Sequence, residues 1–122
     1  LDGAHNPDGM TALTTTLHDD FAAVPSTIVV LGMLGGRDPD AMVAALELTA
    51  YDVVLCTAPP TPRALPPAEV AEAVQRAGVE VEVVPDVAEA LGRARAIATG
   101  DDRIIVTGSL YVVGAARAAL NR

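Results

Sequence analysis

Strand-like and helix-like patterns alternate along this chain from one end to the other. Short β-branched runs occur at Thr27 to Met33 (TIVVLGM), Asp52 to Thr57 (DVVLCT), Val79 to Val84 (VEVEVV) and Arg103 to Thr107 (RIIVT). Three of them are continuous enough for strands covered on both faces, whereas the alternation of VEVEVV predicts a half-exposed strand nearer an edge. Between the runs, apolar residues recur at spacings of three and four. Met10, Leu13, Leu17 and Phe21 form one such set, Val70, Ala73, Val74 and Ala77 a second, and Val87, Leu91, Ala94 and Ile97 a third. Each is the single apolar stripe of an amphipathic helix. Two further segments, Pro39 to Leu48 and Ser109 to Leu120, are apolar on most sides and predict well-buried helices.

Helix starts agree with this pattern. Asn6 and Asp38 are each followed by Pro, an N-cap and first-turn pair, and Asp86 with Glu89 has capping-box spacing. The resulting order, strand and helix in strict alternation, implies a three-layer α/β fold with a doubly wound, mostly parallel sheet. Each helix has a strand before it except the first, where only LDGAH stands. Leu1 and Asp2 therefore read as the last residues of a truncated first strand. The loop Ala58 to Pro67, APPTPRALPP, predicts a stiff extended connection.

Length fits one domain, since 122 residues lie within the ~100–150 where single domains are commonest. Packing must be aliphatic, because the apolar half of the chain includes one Phe, two Tyr and no Trp. The net charge is −8, and all eight basic residues are Arg. Such an acidic chain repels a phosphate backbone, which argues against nucleic-acid binding by bulk charge. Anions would have to be held locally, by a few Arg and by helix N-termini. The single Cys56 sits within a strand-like run and predicts a buried thiol, with no disulfide possible inside one chain. No apolar run reaches the ~20 residues of a membrane span, so the expected setting is cytoplasmic, without a membrane partner.

In an open parallel sheet, ligands bind beyond the carboxyl ends of the strands. Three junctions there carry polar residues: DGAHNP at 2 to 7, GGRDPD at 35 to 40 and TGSLY at 107 to 111. Asp2 would project a carboxylate from a strand end, as an acid accepting from ribose hydroxyls does, although an Asp-Gly turn capped by Asn6 would explain the same residues. Gly35 and Gly36 free the backbone to approach a ligand, and Arg37 offers a planar fork suited to a carboxylate or phosphate, or else is a surface arginine. Ser109 stands where strand gives way to helix; it caps that helix, and an anion at the same N-terminus would be favoured by unpaired amides. The chain carries no G-x-x-x-x-G-K-[ST] loop, no G-x-G-x-x-G and no metal-ligand spacing, and so no nucleotide triphosphate site of its own.

In order and spacing, LDGAHNPDG, LGMLGGRDPD, TAPPTPRAL and IIVTGSLYVVGAAR resemble the C-terminal domain of the folylpolyglutamate synthase/dihydrofolate synthase family, within the Mur ligase superfamily. The resemblance covers nearly the whole chain and implies a Rossmann-like C-terminal ligase domain over residues 1–122. It further implies a parent enzyme, an ATP-dependent acid–amino acid ligase that phosphorylates a folate or dihydropteroate carboxylate, whose acyl phosphate is then attacked by the amine of L-glutamate. ATP and Mg2+ would be the cofactors, with the P-loop, the Mg2+ ligands and a modified lysine in a central ATP-binding domain absent from this chain. The chain by itself is therefore expected to be inactive.

By the same resemblance, Asp2 is the acid that binds the ATP ribose. His5 is the catalytic histidine, near the phosphates and the domain junction. Arg37 and Ser109 face the carboxylate of the incoming glutamate. Arg37 stands where the family has a D-K-D or D-R-D motif, with Gly36 here in place of the first Asp. Arg63, in P-R-A-L, matches the family with no role attached. Two other readings of the residues remain: a stand-alone acidic α/β module that binds a small anion, and a Mur-type ligase domain for a peptidoglycan precursor.

Overall fold

The computed structural model describes residues 13–16, 27–49, 52–99 and 102–121. Asp2 and His5, the truncated strand at Leu1, the Asn6 cap, and Met10, Leu17 and Phe21 of the first predicted helix all lie outside the described residues.

Among the described residues, five strands form one sheet. They are β1 (Leu13–Thr16), β2 (Thr27–Leu31), β3 (Val53–Cys56), β4 (Glu80–Val83) and β5 (Arg103–Thr107), in the spatial order β1-β5-β2-β3-β4. Strands β5, β2, β3 and β4 run parallel, and β1 pairs antiparallel with β5. Helices α1 (Pro39–Leu46), α2 (Pro67–Arg76), α3 (Val87–Ile97) and α4 (Leu110–Leu120) alternate with the parallel strands. The expected mostly parallel α/β architecture is therefore the observed one.

Double winding follows from which residues each face of the sheet buries. Val29, Leu31, Val54 and Cys56 pack with Met42 and Val43 of α1 and with Val70, Ala73 and Val74 of α2. The alternate residues Ile28, Val30, Leu55, Ile104 and Val106 pack with Leu91 and Ala94 of α3 and with Val112, Val113 and Ala116 of α4. Successive residues of a strand face opposite ways, so both sets can be apolar only because helices cover both faces. Leu31 and Leu55 are fully buried, and burial of each stabilises the fold by about 1.5–3 kcal/mol. Cys56 is likewise buried, and burial pushes its thiol up to about 12, which keeps it protonated at neutral pH.

Three expectations need correction. The predicted first helix includes Leu13, yet Leu13–Thr16 is a strand. Three consecutive Thr are stiff at χ1, a poor fit to a helix and a good one to a pleated strand, and pairing here covers the otherwise open edge of β5. The second predicted helix stops at Leu46 instead of Leu48, with Glu47 in the left-handed region at φ 52°. That helix was also expected to be well buried, but only Met42 and Val43 are, while Ala44 and Ala45 are exposed. Helix α4 similarly exposes Tyr111, Gly114, Arg117 and Ala118. In both helices the pervasive apolarity comes largely from Ala, whose small side chain gains little from burial and serves the helix backbone well.

Candidate functional site at the carboxyl edge of the sheet

The chain leaves β2 toward β3 and β4 on one side, whereas β5 lies on the other side of β2. The point where the winding reverses is thus between β2 and β5, the place where an open α/β sheet forms its ligand crevice. Register puts Leu31 opposite Thr107, so the two strands end level and their following loops emerge side by side. Two of the three polar junctions, GGRDPD and TGSLY, are thereby brought together.

Glycine makes this closeness possible. Gly108 has φ +115°, and a Cβ there would overlap the carbonyl of Gly32 and come within 3.0 Å of Leu31 Cδ1. The Gly32 amide donates to the Thr107 carbonyl at 3.2 Å, which locks the two strand ends together. Ser109 follows at the N-cap of α4. Its Oγ accepts from the Val112 amide at 3.1 Å, and the residue is fully buried. This cap satisfies one first-turn donor, while the amides of the first two helical residues have no acceptor within the helix. The hydroxyl uses a lone pair at the cap and keeps its proton for a second bond, while full burial closes it to solvent in this structure.

On the β2 side, Gly36 turns the chain at φ +85°, and Arg37 is exposed. Asp38 serves as the N-cap of α1, its Oδ1 accepting from the amides of Asp40 at 3.0 Å and Ala41 at 3.4 Å. The proline-rich loop after β3 comes back over this segment. Gly35 N donates to Arg63 O at 2.7 Å, Leu65 N donates to Met33 O at 2.8 Å, and Leu34 and Ala64 form an antiparallel bridge. Sequence reasoning singled out Arg63 without a place for it and missed this bridge. Backbone hydrogen bonds between two loops leave no periodic trace, and the one available signal was the run of prolines that stiffens the loop. Thr57, buried at the end of β3, was also missed; its Oγ1 donates to Pro85 O at 2.8 Å and ties that strand end to the turn before α3.

Among the described residues no group of three or more His, Cys, Asp or Glu side chains is placed to hold a metal ion. No described helix is long and apolar enough to cross a membrane.

Residues 1–110 match the family described as Mur ligase, glutamate ligase domain. The chain belongs to that family. Among proteins to which this glutamate ligase domain is similar is the folylpolyglutamate synthase of Lacticaseibacillus casei. The two are 39% identical over 120 residues, which make up 98% of this chain and 26% of that protein. The structure of Mycobacterium tuberculosis folylpolyglutamate synthase complexed with ADP matches with a TM-score of 0.71 at 30% identity, over 100% of this chain and 29% of that one. The bifunctional folylpolyglutamate synthase/dihydrofolate synthase of Yersinia pestis, complexed with AMPPNP and Mn ion, shares the fold. Its TM-score is 0.74 at 24% identity, over 100% of this chain and 28% of that one. The glutamate ligase domain thus spans about a quarter of the length of these relatives.

Proposed function

We propose that residues 1–122 are the C-terminal domain of an ATP-dependent ligase that adds L-glutamate to folate or dihydropteroate. The observation that carries this reading is the match of residues 1–110 to the glutamate ligase domain family, combined with GGRDP and TGS emerging together at the switch point of the sheet. In the reaction the substrate carboxylate attacks the γ-phosphorus of ATP; the O–P bond forms as the bond from that phosphorus to the β,γ-bridging oxygen breaks, giving an acyl phosphate and ADP. The amine of L-glutamate then attacks the acyl carbon, the C–N bond forms as the C–O bond to phosphate breaks, and inorganic phosphate and a proton leave.

Asp2 holds the ATP ribose and His5 acts on the phosphate side, while Arg37 and Ser109 receive the carboxylate of L-glutamate. For Arg37 the support is its exposure beside Gly36; for Ser109 it is the hydroxyl proton left over at the α4 cap. ATP phosphates and Mg2+ are assigned to a central domain of the parent protein, as the family resemblance implies. The ADP bound to Mycobacterium tuberculosis folylpolyglutamate synthase, 30% identical, supports a nucleotide as a reactant. The cytoplasm, where ATP is made and consumed, is the setting.

The test is ATP-dependent addition of L-glutamate to folate and to dihydropteroate by the intact polypeptide that contains this chain. Asp2→Ala, His5→Ala and Arg37→Ala should each lower kcat/KM by about tenfold or more, the usual scale for a lost charge-assisted contact. Full activity in all three would overturn the site assignment.

A further inference from the structure

Of the four family-like motifs, only Pro62-Arg63-Ala64-Leu65 has no part in the proposed reaction. Its backbone is held from several sides. Arg63 N donates to Thr61 Oγ1 at 3.3 Å, Ala64 N donates to Thr61 O at 3.1 Å, and Arg63 O accepts from Gly35 N at 2.7 Å, two residues before Arg37. The loop that follows β3 is in this way drawn toward β2 and the switch point. Such a turn, with prolines at 59, 60, 62, 66 and 67, presents its arginine with little backbone freedom left to lose.

Charge singles out the same residue. Arg76 pairs with Asp40 and Arg93 with Glu82, whereas Arg37 and Arg63 are exposed and have no ion-pair partner among the described residues. Arg95, Arg103 and Arg117 are likewise exposed and without an ion pair among the described residues, but they are at the other edge of the sheet. Arg95 and Arg117 are in the last turns of α3 and α4 and Arg103 is at the start of β5, so position separates Arg37 and Arg63 from them. The acids close to Arg37 in the chain are already engaged, Asp38 by the α1 amides and Asp40 by Arg76. In a chain of net charge −8, two guanidiniums on bridged loops at the carboxyl edge thus have no ion-pair partner among the described residues.

We infer that Arg63 is a second carboxylate-binding residue for L-glutamate, so that Arg37 and Arg63 each take one of the amino acid's two carboxylates. This rests on the proposed glutamate ligase reaction. One planar fork matches one carboxylate, and a dicarboxylate recognised at both ends calls for two. The arrangement accounts for selection of glutamate over neutral amino acids of similar shape.

Steady-state kinetics on the intact polypeptide test the inference. Arg63→Ala and Arg63→Gln should raise KM for L-glutamate about ten- to a hundredfold, with KM for ATP and for the folate substrate within about twofold of the parent, and Arg63→Lys should recover part of the loss. The penalty should shrink against the one monoamide of glutamate that lacks the carboxylate Arg63 holds, and persist against the other. The inference falls if either variant melts like the parent and leaves KM for glutamate unchanged, or if the loss is equal against glutamate and both monoamides. A parent protein that adds no glutamate at all overturns the proposed reaction and this inference together; a parent that adds it with Arg63 immaterial overturns the inference alone.

Discussion

Gly108 carries more of the site than its size suggests. At φ +115° it occupies backbone space that L-residues rarely enter, and its missing Cβ is what admits the Gly32 carbonyl. Any side chain here must both strain its own backbone and push β2 away from β5. Gly108→Ala should therefore cost about 2–4 kcal/mol of folding stability, from a strained φ and local overpacking together. A substitution at Gly114, whose Cβ would meet nothing within 4 Å, serves as the control. Urea denaturation of both variants checks this, and a Gly108→Ala protein as stable as its parent would mean that the two strand ends are not in contact. Ser109 next to it is held by its own cap: its Oγ accepts from the Val112 amide, which fixes the side chain at the start of α4.

At the scale of elements, α1 separates interactions that look alike on paper. Asp38 caps its first turn through two backbone amides, while Asp40, two residues on, holds Arg76 of α2 through both carboxylate oxygens. The cap satisfies donors that have no other partner, whereas the Arg76–Asp40 pair, with side chains 56% and 59% exposed, competes with water. Asp38→Ala should cost about 1 kcal/mol, and Arg76→Ala less than about 0.5 kcal/mol, in the same denaturation measurement. The cap was legible in the sequence as Asp38-Pro39, and so were β2 to β5, because continuous or alternating β-branched runs bounded by Gly and Pro have few other solutions. β1 was not, since Leu13 also fits the three-and-four spacing of an amphipathic stripe, and the pairing with β5 that decides the matter is non-local. The site divides in the same way. Arg37 and Ser109 could be found from strand-to-helix junctions, but the contact of Gly32 with Gly108 and the bridge from Gly35 to Arg63 arise only when distant segments meet.

Across the whole molecule, the doubly wound sheet gathers Arg37, Arg63 and Ser109 at one edge; Ser109 is buried at its helix cap, but the two arginines are not enclosed. Arg37 and Arg63 are exposed, and the net charge of −8 sets a repulsive background for any anion approaching from a distance. An ion pair in water at contact distance is worth about 1 kcal/mol, so two such arms amount to roughly 2 kcal/mol, against at least about 4 kcal/mol for the lost freedom of a bound ligand. On this open edge alone, L-glutamate should therefore bind with Kd weaker than about 1 mM. The same contacts strengthen severalfold once a second surface excludes water, which is the expected contribution of a central domain closing on this edge. Calorimetry on the 122-residue chain and on the intact polypeptide compares the two situations directly. Glutamate and nucleotide should bind at least about tenfold more tightly to the intact polypeptide; micromolar binding by the short chain would instead make it a self-sufficient anion-binding module, with its arginines serving recognition without ligation.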